Sequence, residues 1–226
     1  MATTVTPPLY RTTIGKKVLV AVSGLVGIGF VFAHMLGNLH AFQGPNQINS
    51  YADELRNIGE PLVPRSLLLW LLRLTVIAAV IVHVTVTTQL ALRSRASRRS
   101  RYADADIVQA SYASRTMRWG GAAILAFIVF HLMDFTWGVH PDYVRGDVYH
   151  NLVTGFQRWP VVVVYLVAML CLGMHLYHGT WSTFQTLGVI RARWRPLIRR
   201  LALTIALVIS VGYAIVPLGV AFNVIK

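Results

Sequence analysis

Residues 18–38 read VLVAVSGLVGIGFVFAHMLGN, an uncharged and mostly apolar stretch with one histidine near its end. A helix needs about 20 such residues to cross a hydrocarbon core of about 30 Å. In lipid an isolated segment must satisfy its own backbone hydrogen bonds, which a helix does and a lone strand does not. We therefore interpret this stretch as a membrane-spanning helix.

Four further stretches of this kind follow, and the five spans together predict an all-α integral membrane protein. Only 13% of the 226 residues are charged, whereas a soluble domain carries about a quarter. The apolar runs are continuous rather than alternating, which argues against a barrel. Residues 1–226 are taken as one membrane domain whose first span is retained, since no cleavage-site pattern is visible. The other predicted spans are 67–91, 117–138, 160–186 and 201–222.

The distribution of charge predicts the orientation in the membrane. Most of the 21 basic residues lie before span one, between spans two and three, or between spans four and five, which is one side of a five-span chain. The positive-inside rule makes that side cytoplasmic and places the N-terminus inside. The net charge of +13 therefore does not indicate nucleic-acid binding. The densest segment, RSRASRRSR at 93–101, also suits anionic lipid or a docked cytoplasmic subunit.

Four of the eight histidines lie inside apolar spans, one on each of the first four. With about 1.5 Å per residue, His34 and His131 lie about 25 and 20 Å from the inner ends of their spans. By the same rule His83 lies about 15 Å from the inner surface, and His175 about 22 Å from the outer end. Depth therefore pairs His34 with His131 in the outer half and His83 with His175 in the inner half.

Two histidine pairs at two depths favour a di-haem site. A buried imidazole in lipid is costly unless something binds it, and two six-coordinate haems in a four-helix bundle need four such ligands. A single intramembrane histidine more often makes a hydrogen bond or relays protons. Zinc is disfavoured because neither pair has further ligands nearby. Gly24 and Gly121 each stand ten residues before an outer histidine, and a small residue lets a flat macrocycle approach the backbone.

These residues resemble a known family. The segments that carry the resemblance are GKKVLVAVSGLVGIGFVFAHMLGN at 15–38, His83, FHLMDF at 130–135, HLYHGTWSTFQTLG at 175–188 and the long first outer loop at 43–73. Over all five spans the chain resembles the single-chain, di-haem cytochrome b subunit of the succinate:quinone oxidoreductases, the succinate dehydrogenase and fumarate reductase family. The resemblance implies that helices two and four hold the inner haem b and helices one and three the outer one.

The resemblance also implies the partners. A flavoprotein subunit would oxidise succinate, an iron–sulfur subunit would carry electrons to the membrane face, and this chain would pass them through two haem b groups to a quinone. The single cysteine, Cys171, excludes an iron–sulfur cluster held by this chain alone. Two haems suggest menaquinone, the bacterial cytoplasmic membrane is the expected location, and a trimer of whole complexes is plausible. Succinate oxidation and fumarate reduction both stay open as the working direction.

The quinone site has candidates on both sides of the membrane, since quinone reduction needs proton donors and a planar apolar slot. The resemblance implies an acidic residue in the first outer loop, for which Glu60 is the positional match. The other outer candidates are Arg73, Asp134, Trp137 and His40. The inner candidates, which would border a site shared with the iron–sulfur subunit, are Ser23, Trp119, His178 and Trp181.

Two charged or titratable residues near the predicted haems need partners. Arg73 is expected to be buried about two turns into span two and to bind an outer haem propionate or else Asp134. His178, one turn beyond His175, is expected beside the inner haem or its propionates and stays open as the alternative ligand. The remaining histidines fall in or near outer loops and are expected to be solvated: His40, His140 and His150.

Three other functions are compatible with parts of the pattern. A di-haem subunit of another quinone-linked oxidoreductase, such as a hydrogenase or formate dehydrogenase, usually differs in span number, and HLYHGTW at 175–181 argues against it. A histidine-relay transporter would have broken helices and polar midplane residues, whereas spans two and five are almost featureless. A purely structural anchor with degenerate haem sites is disfavoured by the intact histidine set.

Overall fold

The computed structural model describes residues 8–96, 112–188 and 190–226. In these ranges all regular structure is helical and no strand is present. The α-helices in chain order are α1 (Thr13–Leu39), α2 (Pro45–Asn57), α3 (Leu67–Ala96), α4 (Tyr112–Phe135), α5 (Val148–Gln157), α6 (Trp159–Thr186) and α7 (Arg195–Ala221). Five of them, α1, α3, α4, α6 and α7, are long and apolar enough to cross a membrane. These five confirm the predicted number of spans.

Local chemistry explains where the helices begin and end. The Thr12 hydroxyl accepts the N–H of Gly15 at 3.0 Å, so α1 begins five residues before the predicted apolar span. Proline in the first turn starts α7 at Arg195, ahead of the predicted residue 201. The third span ends at Phe135 instead of residue 138, because the chain turns at Gly138 (φ 65°), where a Cβ would collide with the Tyr143 ring.

Two short helices, α2 and α5, lie in segments that the sequence placed in outer loops. Both are too polar or too short to register as spans, and they pack against each other. The Asn49 side chain joins them, since its amide donates to Asp147 Oδ1 at 3.0 Å and its oxygen accepts the N–H of Tyr149 at 3.1 Å. Asp147 also caps α5 by accepting the N–H of His150 at 2.9 Å. Together α2 and α5 cover one end of the bundle.

The spanning helices form two pairs that share a central contact. α1 packs along α3, α4 packs along α6, and α1 meets α6 between them. α7 packs on α6 and α1, and Tyr213 of α7 donates its hydroxyl to the carbonyl of Val31 at 2.7 Å. The fifth span, predicted to be almost featureless, is therefore part of the bundle and contributes a polar side chain to its interior.

The surface of the bundle suits lipid. On α3 Val86 is buried, whereas Leu74, Ile77 and Ile81 are each more than half exposed. A soluble protein rarely leaves such a continuous apolar surface open to water. The exposed apolar side chains agree with a multi-pass membrane protein.

Candidate site: two histidine pairs in the bundle

The structure brings His34 of α1 and His131 of α4 together, with ring centroids 5.9 Å apart. We call them the outer pair, from the predicted orientation. Phe30 stacks on the His34 ring at 5.5 Å, and the Tyr213 ring lies 6.1 Å away. α1 and α4 are not among the helices that pack along each other in the described ranges, so the two rings reach across the space between the helix pairs.

Aromatic side chains surround His131. Its Nδ1 lies 2.9 Å from the hydroxyl oxygen of Tyr165 on α6. The Tyr165 ring is buried and makes edge contacts with Phe127, Phe135 and Phe156 at centroid distances of 4.8, 6.1 and 4.8 Å. Sequence reasoning missed Tyr165, because nothing in the sequence shows which face of α6 meets α4.

The inner pair consists of His83 on α3 and His175 on α6, with ring centroids 6.1 Å apart. Ser23 of α1 places its hydroxyl oxygen 3.2 Å from His83 Nδ1. The same hydroxyl donates to the carbonyl of Leu19 at 2.7 Å. Nδ1 of His175 is buried and has no hydrogen-bond partner among the described residues.

The two glycines that precede the outer histidines contact the inner ones. A Cβ on Gly24 would lie 3.5 Å from Cε1 of His83, and one on Gly121 would lie 3.6 Å from Cε1 of His175. Each inner imidazole therefore rests on the backbone of a neighbouring helix. Ten residues separate Gly24 from His34, so the inner and outer pairs stand about 15 Å apart along α1.

The donor set and spacing fit a metal held by two axial imidazoles. A bond of about 2 Å on each side, with about 1 Å from nitrogen to ring centre, separates two such rings by about 6 Å. The described residues hold no cluster of three or more His, Cys, Asp or Glu side chains able to bind an ion. Each pair could therefore supply no more than two imidazole ligands to one metal ion. A protein-only zinc site needs more ligands than either pair has.

Asp134, one turn beyond His131, forms an ion pair with Arg158 and not with Arg73. Nη2 of Arg158 lies 2.7 and 3.0 Å from the two carboxylate oxygens, and Asp134 is only 5% exposed. Arg73 is exposed, and its guanidinium lies 5.0 Å from the ring centre of Trp70. The expected Arg73–Asp134 pair is therefore wrong, because α3 packs on α1 while Arg158 precedes α6, the neighbour of α4. The expected burial of Arg73 is wrong as well.

The other quinone candidates lie in different environments. Glu60 is exposed between α2 and α3, and Trp119 on α4 is 81% exposed. His178 is half-buried on α6, and Trp181 stacks with Arg199 at 5.1 Å. Trp137 is exposed just beyond α4.

The loop histidines differ from one another. His40 stacks on Tyr51 at 4.7 Å, and Nε2 of His150 lies 3.0 Å from the carbonyl oxygen of Asp142. His140 is 6% exposed, so its expected solvation is wrong. Its ring packs edge to face against Tyr143, with the ring centroids 5.8 Å apart. None of these three histidines belongs to the two pairs.

Basic residues gather at the end of the bundle where α1 begins and α3 ends. A guanidinium nitrogen of Arg93 donates to the carbonyl of Arg11 at 3.2 Å, which joins two of the segments predicted to face the cytoplasm. Arg98, Arg99 and Arg101 lie outside the described residues.

No protein-family model, curated protein or solved structure matches this chain.

Proposed function

We propose that this chain is the di-haem cytochrome b membrane anchor of a succinate:quinone oxidoreductase. The observation that carries the proposal is the pair of histidine contacts, 5.9 and 6.1 Å between ring centres, at two levels of one apolar bundle. His34 and His131 would hold the outer haem b, and His83 and His175 the inner one. Bound haem supplies one-electron transfer between ferric and ferrous iron.

The chain's own residues have three tasks in this function. The four histidines would bind and orient the two groups, at two levels about 15 Å apart along α1. Aromatic side chains such as Phe30 and Phe127 keep water away from the outer ligands. The five long apolar helices would carry both sites across the bilayer, at different depths.

The proposed partners are those that the family resemblance implies. Succinate chemistry belongs to a flavoprotein subunit, and an iron–sulfur subunit would dock at the arginine-rich end of the bundle. The electron acceptor is a membrane quinone, for which we favour menaquinone. The complex would reside in a bacterial cytoplasmic membrane, where a trimer of complexes is plausible.

The quinone vicinity is proposed at the outer end. Asp134, one turn beyond His131, is buried and forms an ion pair with the partly exposed Arg158, and a reduced quinone would exchange protons there. Glu60, exposed between α2 and α3, stays a further acidic candidate. Arg73 stays a proposed partner of an outer propionate, since its side chain is exposed and its contact with Trp70 leaves the guanidinium accessible.

The test is a dithionite-reduced minus oxidised spectrum of the purified chain, with haem counted per polypeptide. Two b-type haems per chain are expected, and their reduction by succinate in membranes that contain the partner subunits would distinguish this complex from other quinone-linked enzymes. A chain without haem would overturn the proposal. Haems that reduce with another donor but never with succinate would reassign the chain to a different oxidoreductase.

A further inference from the structure

One histidine of each pair contacts a hydroxyl group from a neighbouring helix. The hydroxyl oxygen of Ser23 on α1 lies 3.2 Å from Nδ1 of His83, and that of Tyr165 on α6 lies 2.9 Å from Nδ1 of His131. Neither hydroxyl is explained by axial ligation alone. In both contacts the hydroxyl comes from the helix that packs along the helix of the histidine, since α1 packs on α3 and α6 packs on α4.

The contacts of Ser23 are compatible with one tautomer of His83. The Ser23 hydroxyl can donate its only hydrogen to either of two helix carbonyls, those of Leu19 at 2.7 Å and Val20 at 3.1 Å. With that hydrogen on a carbonyl, the oxygen can accept a hydrogen bond from His83 when the ring carries its proton on Nδ1. That tautomer leaves the lone pair of Nε2 free, and Nε2 is then the atom that can bind a metal.

At the outer pair the phenol has a fixed position. The Tyr165 side chain is 7% exposed, and the rings of Phe127 and Phe156 contact it edge to face at 4.8 Å. A phenol has only two side-chain torsions, and this packing holds both. The hydroxyl oxygen can then accept the Nδ1 proton of His131 at 2.9 Å and keep the plane of its ring constant.

We propose that Ser23 and Tyr165 are positioning residues that hold His83 and His131 as Nε2 ligands and set the reduction potential of each site separately. This proposal rests on the proposed di-haem function. A hydrogen bond from Nδ1–H increases the electron donation of an imidazole ligand, which favours the ferric iron. Loss of the hydroxyl should therefore raise the midpoint potential of its own haem and leave the other unchanged.

The experiment is a spectroelectrochemical titration of the full-length holoprotein, with electron paramagnetic resonance of the ferric state. Tyr165→Phe keeps the aromatic packing and removes only the hydroxyl, and Ser23→Ala does the same at the inner site. Tyr213→Phe is the matched control, because its ring lies 6.1 Å from the His34 ring while its hydroxyl donates to a backbone carbonyl instead of a ring nitrogen. Ser23→Thr, which retains a hydroxyl, should restore the inner potential.

The expected result is a positive shift of the outer haem alone in Tyr165→Phe, a positive shift of the inner haem alone in Ser23→Ala, and no shift in Tyr213→Phe. Loss of the outer haem alone from Tyr165→Phe would also support positioning. Two haems with unchanged potentials and resonance spectra in both variants would overturn this proposal and leave the di-haem function intact. Loss of both haems from either variant would overturn it too, by showing a role in folding.

A parent protein without haem would remove the proposed function and this inference together, and that result is visible before any variant is made. The two failures are therefore distinguishable in one series of samples.

Discussion

Arg158 binds Asp134 through one guanidinium nitrogen, 2.7 and 3.0 Å from the two carboxylate oxygens, at the outer end of the bundle. The carboxylate is buried beside the turn that carries His131, while the Arg158 side chain is 37% exposed. A buried carboxylate is costly without a cation or strong donors nearby, so Asp134 depends on Arg158. The pair also ties the end of α4 to the start of α6.

The first prediction concerns the stability of this pair. Arg158→Gln should lower the free energy of unfolding by about 1–3 kcal/mol, less than for a fully buried pair because Arg158 is partly exposed. Adding Asp134→Asn to that variant should recover part of the loss, since no uncompensated charge then remains. Thermal unfolding in detergent measures both effects.

The Asp53–Arg65 pair provides the control for that comparison. Its N–O distance is 2.9 Å, but both side chains are more than half exposed. Arg65→Gln should therefore cost about 1 kcal/mol or less. Equal losses from Arg65→Gln and Arg158→Gln would show that Asp134 does not need its partner.

The second prediction follows from the two histidine contacts. His34→Ala or His131→Ala should remove only the outer haem, and His83→Ala or His175→Ala only the inner one, because in the proposed function each pair holds one haem. Haem content and redox titration measure the loss. If His34→Ala and His83→Ala removed the same redox transition, the pairing would be wrong.

Two further variants complete that series. His150→Ala should keep both haems, since its ring contacts a loop carbonyl outside the pairs. His178 lies one turn beyond His175, and His178→Ala should also retain two haems. Loss of the inner haem in His178→Ala, with retention in His175→Ala, would move the ligand by one turn of α6.

The third prediction concerns pH and the contact between α2 and α5. The N–H of His150 and the side-chain amide of Asn49 donate to Asp147 and hold the pKa of its carboxyl below the usual value. A lowered folded-state pKa adds stability above the unfolded-state pKa, and that stability is lost as pH falls through the folded-state value. Asp147→Asn should therefore weaken the fall of the unfolding temperature between about pH 5 and pH 2.

Asp142→Asn is the control for the pH series, because Asp142 is exposed in the same loop. Unfolding temperatures across the same pH range should follow the parent protein in that variant. If the unfolding temperature of Asp147→Asn fell at low pH as steeply as that of the parent protein, the Asp147 carboxylate would not stabilise the contact between α2 and α5.

The five spans and the grouping of the histidines could be predicted from sequence because both depend on one-dimensional quantities. Apolar run length determines a span, and helix rise with direction determines depth, so the sequence alone predicts His34 at the level of His131. The structure brings together the same two pairs. Their role as haem ligands remains a prediction.

The partners of the polar side chains depend on which helices are neighbours and how each is rotated. Asp134 was expected to bind Arg73 because both were near the outer haem level, yet α4 lies beside α6 and binds Arg158. Tyr165 was missed for the same reason. The sequence does contain a weak indication of the Arg158–Asp134 pair. Arg158 directly precedes the fourth span, and Asp134 lies near the end of the third span, so both are at the same side of the membrane.

The fourth prediction links the glycines of the outer-ligand helices to the inner site. Gly24→Ala should retain both haems, because its added Cβ would make an ordinary contact at 3.5 Å with the His83 ring. Gly24→Leu should displace that ring and remove the inner haem, although position 24 is on α1, which carries an outer ligand. Gly121→Leu should do the same through His175. Haem content per chain and the remaining redox transition measure which site is lost.

Gly29→Leu is the matched control on α1, because no described atom, apart from its chain neighbours and the nearby backbone of α1, lies within 4 Å of the position its Cβ would take. It should leave both transitions in place, which would separate crowding of the inner histidine from a general intolerance of α1 to large residues. If Gly24→Leu removed the outer transition and spared the inner one, then Gly24 would not lie against the inner histidine in the loaded protein. The spacing of about 15 Å between the sites, which depends on that contact, would then have to be abandoned.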